Sequence, residues 1–287
     1  MCDEFIHPGL VSDTRLSRRT FGMMTVATAG IASGAVAQTN AVETDVTVKT
    51  PDGTCDAVLF HPSGEGHWPA VLIWPDIMGL RPAFRDMGKR LAAEGYVVLV
   101  PNPFYRSAKA PVIGDNANFG DPDTRNRLMG YRGAMSNDGI DSDAKAYLAF
   151  LDAQPQTAKG KKAGVQGYCM GGALSFRTAA AVSNRIAAVG SFHGGNGLVT
   201  KNPDSPHLLI PKTHASYLVL QAQNDDATQP TLKDDLKAAF AAAGRPATVE
   251  VYHANHGWCV PGGAVYDQGE AERAWTALGA LYRTNLA

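Results

Sequence analysis

The chain has 287 residues, 45% of them hydrophobic and 18% charged, a balance that suits a buried core and excludes a disordered polypeptide. A formal net charge of −1, with no basic stripe, gives no footing for nucleic acid. Beyond the N-terminal segment no run is long and apolar enough to cross a bilayer, so stable membrane association is not expected.

In chain order, the first feature is Ser17-Arg18-Arg19-Thr20-Phe21, a twin-arginine run. The uncharged stretch Phe21 to Ala37 follows it and ends in Ala35-Val36-Ala37, a small-x-small cleavage site. Residues 1–37 are therefore expected to be a twin-arginine (Tat) signal peptide, with the Tat translocase as a transient partner and a periplasmic or secreted product. One domain, residues 38–287, remains. Cys2 leaves with the signal, and an odd set of Cys55, Cys169 and Cys259 stays behind, for which no disulfide is expected.

Thr44 to Thr50 and Cys55 to His61 flank the turn Pro51-Asp52-Gly53 and are expected to form an antiparallel hairpin. Six short apolar runs follow: Ala70 to Trp74, Tyr96 to Val100, Ala163 to Val165, Ile186 to Gly190, Tyr217 to Gln221 and Val249 to Tyr252. Continuous apolar strands of this kind belong to parallel sheets covered on both faces. Helical spacing lies between most of them, at Phe84, Met87 and Leu91, at Ile140 to Leu151, and at Leu232, Leu236 and Phe240. A last helix carries Ala271, Ala274, Trp275, Leu278, Leu281 and Tyr282 as core positions. The expected fold is α/β: a mostly parallel, doubly wound sheet begun by an antiparallel hairpin. Pro101 to Met135 has no clear periodicity and follows a strand's C-terminal end, where ligands bind in such sheets. It is expected to be a substrate wall or lid, with Phe104, Tyr105 and Arg106 as its first contacts.

The chemistry centres on Gly167-Tyr168-Cys169-Met170-Gly171-Gly172, between an apolar strand and a helix-forming run. This is the layout of a nucleophile elbow carrying a thiol in place of a hydroxyl. The glycines let the strained turn pass close to neighbouring backbone, and the helix N-terminus favours a thiolate. A nucleophile needs a base and a group to orient it. His256, in His253-Ala254-Asn255-His256-Gly257-Trp258 after the last strand, is the expected base, with His253 as the fallback. Asp225 is expected to orient it, with its neighbour Asp226 as the alternative.

These residues resemble the dienelactone hydrolase family. The resemblance runs from about Asp45 to the C-terminus and is carried by the cysteine elbow, Ala222-Gln223-Asn224-Asp225, Ala254-Asn255-His256-Gly257-Trp258 and Trp74-Pro75-Asp76-Ile77-Met78-Gly79. It implies a single-domain α/β-hydrolase fold and a cofactor-independent Cys-His-Asp triad that opens lactones or cleaves carboxylic esters of small molecules. It further implies an oxyanion hole from the backbone NH groups of Ile77 and Met170. Asp76 stands where family members often carry a glutamate that tunes the thiol, and Trp258 flanks the histidine; both are expected to touch substrate or shape the site. Val260 occupies the place of an arginine that holds the carboxylate in dienelactone-cleaving members, which argues against dienelactone itself.

Two other classes stay open on sequence alone. His253, His256 and Cys259 recur every third residue and could hold zinc or copper. A non-hydrolytic periplasmic binding or thiol redox protein could use the same pocket, although no Cys-x-x-Cys pair supplies a resolving cysteine.

Overall fold

A computed structural model describes residues 40–114 and 117–286. The twin-arginine run and its cleavage site lie outside the described residues. Strands β1 (Ala41–Thr50) and β2 (Gly53–Pro62) pair antiparallel from Thr50 opposite Gly53 to Ala41 opposite Pro62, so that Pro51 and Asp52 alone make the turn. The outer strand β1 is mostly exposed, whereas β2 buries Ala57 to Phe60 and pairs antiparallel with β4 (Val97–Pro101). From β4 onward the sheet is parallel through β3 (Ala70–Trp74), β5 (Ala163–Tyr168), β6 (Ile186–Phe192), β7 (Ser216–Ala222) and β8 (Ala247–Tyr252). The eight strands run in the order β1-β2-β4-β3-β5-β6-β7-β8.

Alternate residues of the inner strands feed two apolar layers, which is why these strands read as unbroken apolar runs. Leu72, Leu99, Val165 and Val219 face one layer with helices α3 (Asn137–Ala153), α4 (Met170–Ala181) and α6 (Leu232–Ala243). Val71, Ile73, Val98 and Leu220 face the other, with α1 (Pro82–Ala93) and α7 (Gln268–Asn285). The positions predicted from helical spacing, among them Phe84, Leu91, Tyr147, Leu151, Leu236 and Tyr282, are each no more than 1% exposed. Among the described residues no helix is long and apolar enough to cross a membrane.

Three local features differ from the sequence expectation. Residues 122–133 form a helix, α2 (Pro122–Gly133), inside the segment read as lacking periodicity. It buries only Leu128, so it carries no apolar stripe. Capping starts it instead: the Asp121 side chain accepts from the Thr124 NH at 2.8 Å, and Pro122 occupies the first turn. The acid pair lies not in an open loop but in a short helix, α5 (Gln223–Thr228), directly after β7. Trp275 is half-buried rather than core; its indole NH donates to Glu94 at 2.7 Å and its ring carries Arg90, which ties α7 to α1.

Candidate active site

The segments that follow β3, β5, β6 and β8 converge on one cavity of about 1250 Å³. Cys169 enters it from the turn between β5 and α4 with φ 55° and ψ −120°, a left-handed conformation costing a residue with a side chain on the order of 1–3 kcal/mol. Close packing holds the strain. The Cys169 NH donates to the Phe192 carbonyl at 3.0 Å and to His193 Nδ1 at 3.1 Å. A Cβ on Gly167 would run into the Gly171 carbonyl, one on Gly171 into the Trp74 carbonyl, and one on Gly172 would lie 2.5 Å from Ser191 Oγ. The elbow therefore requires glycine at 167 and 171, where backbone carbonyls stand in the way, and is tight at 172.

His256 lines the same cavity from the loop after β8. Its Nδ1 lies 2.7 Å from Asp225 Oδ2, and its backbone NH donates to Asn224 Oδ1 at 2.8 Å. Gly257, at φ 101°, turns the chain immediately after the ring. Burial disfavours a charged imidazole here, but hydrogen bonds and charge from Asp225 and from the neighbouring Cys169 side chain outweigh it and push His256 up to about 10. With Nδ1–H given to the carboxylate, Nε2 is left for proton exchange in the cavity. Asp226 faces away and receives Lys233 Nζ at 2.7 and 3.0 Å. His253 is exposed. Among the described residues no group of three or more His, Cys, Asp or Glu side chains is placed to hold a metal ion, and Cys55, Cys169 and Cys259 are free thiols.

Ile77 and Met170 both line the cavity beside Cys169. Met170 opens α4, so its NH has no acceptor within the helix. Among the described residues no protein acceptor meets the NH of Ile77 either, whereas the next two amides, of Met78 and Gly79, bond back to Asp76. Asp76 also borders the cavity, but its charge is engaged: Arg81 grips both carboxylate oxygens at 2.7 and 2.8 Å, and the Met78 NH donates to one of them.

Tyr105 and Arg106 stand elsewhere than the sequence reading placed them. The Tyr105 hydroxyl donates to buried Asp143 at 2.8 Å and accepts from Thr50 at 2.6 Å; Arg106 forks onto Asp143 and Asp52. Asp143 is 1% exposed, and a carboxylate buried so deeply needs these partners. Both residues fasten the chain after β4 to α3 and the hairpin, and neither lines the cavity. Other parts of the same segment do line it, including Ile113, Phe119 and Met129. Trp258 is fully buried behind the cavity, with its ring stacked on Tyr252 and edge-on to His193.

His193 was not singled out from sequence. It follows β6 at φ 38°, is 1% exposed, and packs edge-on against the His256 ring with centroids 4.8 Å apart. Burial, reinforced by the charge of His256, pushes it well below the usual histidine range, so the ring is neutral. Because Nδ1 accepts the Cys169 NH, the proton sits on Nε2, which has no partner among the described residues. His193 thus braces both the elbow and the His256 ring. A lone histidine at a strand end offers no spacing signal; only its place beside Gly194 and Gly195, after a strand that neighbours the elbow, could have marked it.

Comparison with known proteins gives a concordant result. The sequence profile of the dienelactone hydrolase family matches residues 55–286. A relative from Methylorubrum extorquens, provisionally named a carboxymethylenebutenolidase, is 27% identical over 96% of this chain and 95% of its own. The carboxymethylenebutenolidase of Rhodococcus opacus is 26% identical over 71% of this chain and 75% of its own. Among solved structures, a protein from Klebsiella pneumoniae provisionally described as a dienelactone hydrolase superposes with a TM-score of 0.73 at 20% identity, covering 85% of this chain and 98% of its own.

Proposed function

The chain belongs to the dienelactone hydrolase family and is a hydrolase of lactone or ester bonds, and we propose that Cys169, His256 and Asp225 form its catalytic triad. The observation that carries the reading is the 2.7 Å contact between His256 and Asp225 in a cavity that also receives Cys169 at a strained elbow. An imidazole raised to about 10 is protonated at neutral pH, so His256 holds a proton that it can give to a leaving group.

In this mechanism the Cys169 thiolate attacks the carbonyl carbon and the electron pair moves to the carbonyl oxygen. The NH groups of Ile77 and Met170 receive that oxyanion, an interaction whose loss typically costs about a hundred- to a thousand-fold in rate. The intermediate collapses, the carbon–oxygen bond to the leaving group breaks, and His256 supplies the proton to the departing alkoxide. A water molecule, deprotonated by His256, then attacks the thioester and releases the acid and the thiolate. Asp225 keeps the imidazole in one tautomer and stabilises its charged form. Thiolate is a better leaving group than amide nitrogen, so the intermediate reverts with amides and proceeds with activated esters, enol esters and lactones.

The site of action we propose is the periplasm or the extracellular space. The twin-arginine run supports export through the Tat translocase, which carries folded substrates, so that Cys169 crosses already seated in its cavity. Turnover of p-nitrophenyl acetate by the mature enzyme tests the triad. Cys169→Ala should remove it, and retention of more than about a tenth of the rate would overturn the assignment.

A further inference from the structure

The cavity is larger than a monocyclic lactone requires. At about 1250 Å³ it exceeds the roughly 300–1000 Å³ that encloses a drug-sized ligand. Its mouth is apolar in an unusual way: Phe119, Met129 and Val265 line it while remaining 38%, 52% and 43% exposed. Large apolar side chains gathered at a cavity entrance mark a surface that an apolar ligand covers.

Charge in the lining is equally uneven. Asp76 is its one carboxylate, set against the guanidinium groups of Arg81, Arg85 and Arg132. Arg81 is taken up by Asp76, and Arg85 by Glu43 at 2.6 Å and Asp45 at 2.5 Å. Arg132 is different. It is half-buried on α2, one turn beyond Met129, and among the described residues its guanidinium has no hydrogen bond or ion pair. Burial, and after it the nearby charge of Arg177, already presses on Arg132, while Arg177 is itself paired with Asp141 at 2.7 Å. A half-buried, unpaired guanidinium facing a cavity is a ready fork for a planar anion.

We infer that the substrate is an ester or lactone with an extended apolar body and a carboxylate remote from the scissile bond, the carboxylate held by Arg132 and the body by the apolar mouth. The inference rests on the hydrolase reading above. It makes Arg132 a specificity residue supplied by α2, whereas Val260 is buried in the core and does not line the cavity. The helix itself fits the role, since it buries little of its own surface and lays Met129 and Arg132 along the cavity.

Three p-nitrophenyl esters test it: the acetate, the octanoate, and the monoester of octanedioic acid, which adds a distal carboxylate to the same chain length. The wild type should cleave the octanoate faster than the acetate, and the carboxylate ester at least about tenfold faster than the octanoate in kcat/KM. Arg132→Gln should bring the last ratio to about one, chiefly through KM, and Arg132→Lys should restore part of it. Octanedioate should inhibit the wild type competitively and more strongly than octanediol, a comparison that stands even if a variant fails to fold. A wild-type ratio at or below one, a ratio unchanged in folded Arg132→Gln, or equal inhibition by the diacid and the diol overturns the inference and leaves the hydrolase reading intact. Failure to cleave any of the three overturns the hydrolase reading, and the inference with it.

Discussion

Replacing Asp225 by Asn keeps the shape of the side chain and removes its charge. The wild-type carboxylate lies 2.7 Å from His256 Nδ1 in a site where the acid is 17% and the histidine 35% exposed. A charge-assisted hydrogen bond contributes about 1.5–3 kcal/mol, which converts to roughly ten- to 150-fold in rate. The amide adds a second penalty, because it can donate to Nδ1 and so favour the tautomer with Nε2 blocked; in a serine triad the equivalent change costs about 10⁴. Partial solvent access weakens the electrostatic share, so the expected loss in kcat is about 10² to 10³. Asp226→Asn is the internal control. Its carboxylate meets only Lys233 and both side chains are about a quarter to a third exposed, so an ion pair of about 0–1 kcal/mol is at stake and kcat should stay within about threefold. Initial rates on p-nitrophenyl acetate, with the unfolding midpoint of each variant measured alongside, decide the matter. Asp225→Asn within about tenfold of wild type, or Asp226→Asn as the more damaging change, would refute the argument.

The other expectations concern pH, the elbow and export. With His256 raised to about 10, kcat should hold across neutral pH and fall along an alkaline limb near that value; Asp225→Asn should move the limb down by about one unit or more, and a wild-type limb below about 8 would contradict the electrostatics. The sign for stability is the same: a folded-state value above 6.5 contributes stability fully present below that pH and lost as pH rises through about 10. Gly171→Ala would drive a Cβ into the Trp74 carbonyl, a backbone atom that cannot rotate aside, so it should lower the unfolding midpoint by roughly 2–12 °C and abolish turnover; an unchanged midpoint and rate would refute the packing account. Changing Arg18 and Arg19 together to Lys should leave active enzyme in the cytoplasm, as judged by cell fractionation, whereas a wild-type protein that is itself wholly cytoplasmic with Met1 retained would dismiss the signal.

The parts of the site legible in the sequence were those written into short local patterns. The glycines around Cys169 sit two or three residues from it in a recognisable run, although the atoms that exclude a side chain there include the distant Trp74 carbonyl and Ser191 Oγ, and the inner strands are apolar throughout because helices cover both faces. Choosing between Asp225 and Asp226 needed three dimensions. Successive residues on a helix point about 100° apart, so α5 turns one carboxylate to His256 and its neighbour to Lys233. Tyr105 and Arg106 are where a ligand wall would be sought, yet buried Asp143, 38 and 37 residues away along the chain, claims both. The prominence of His193 and Arg132 is relational: one matters for the two rings and the amide it meets, the other for the partner it lacks. Neither relation has a spacing in the sequence.

The central claim is that Cys169 is acylated during turnover. Rapid acid quench of the mature enzyme with p-nitrophenyl acetate, followed by peptide mass spectrometry, reads it directly. The account predicts an acetyl group on the peptide containing Cys169, formed at the rate of the p-nitrophenol burst and absent from Cys169→Ala. An acetyl group on any other residue that forms and decays at the turnover rate, or a fully active Cys169→Ala, would contradict it.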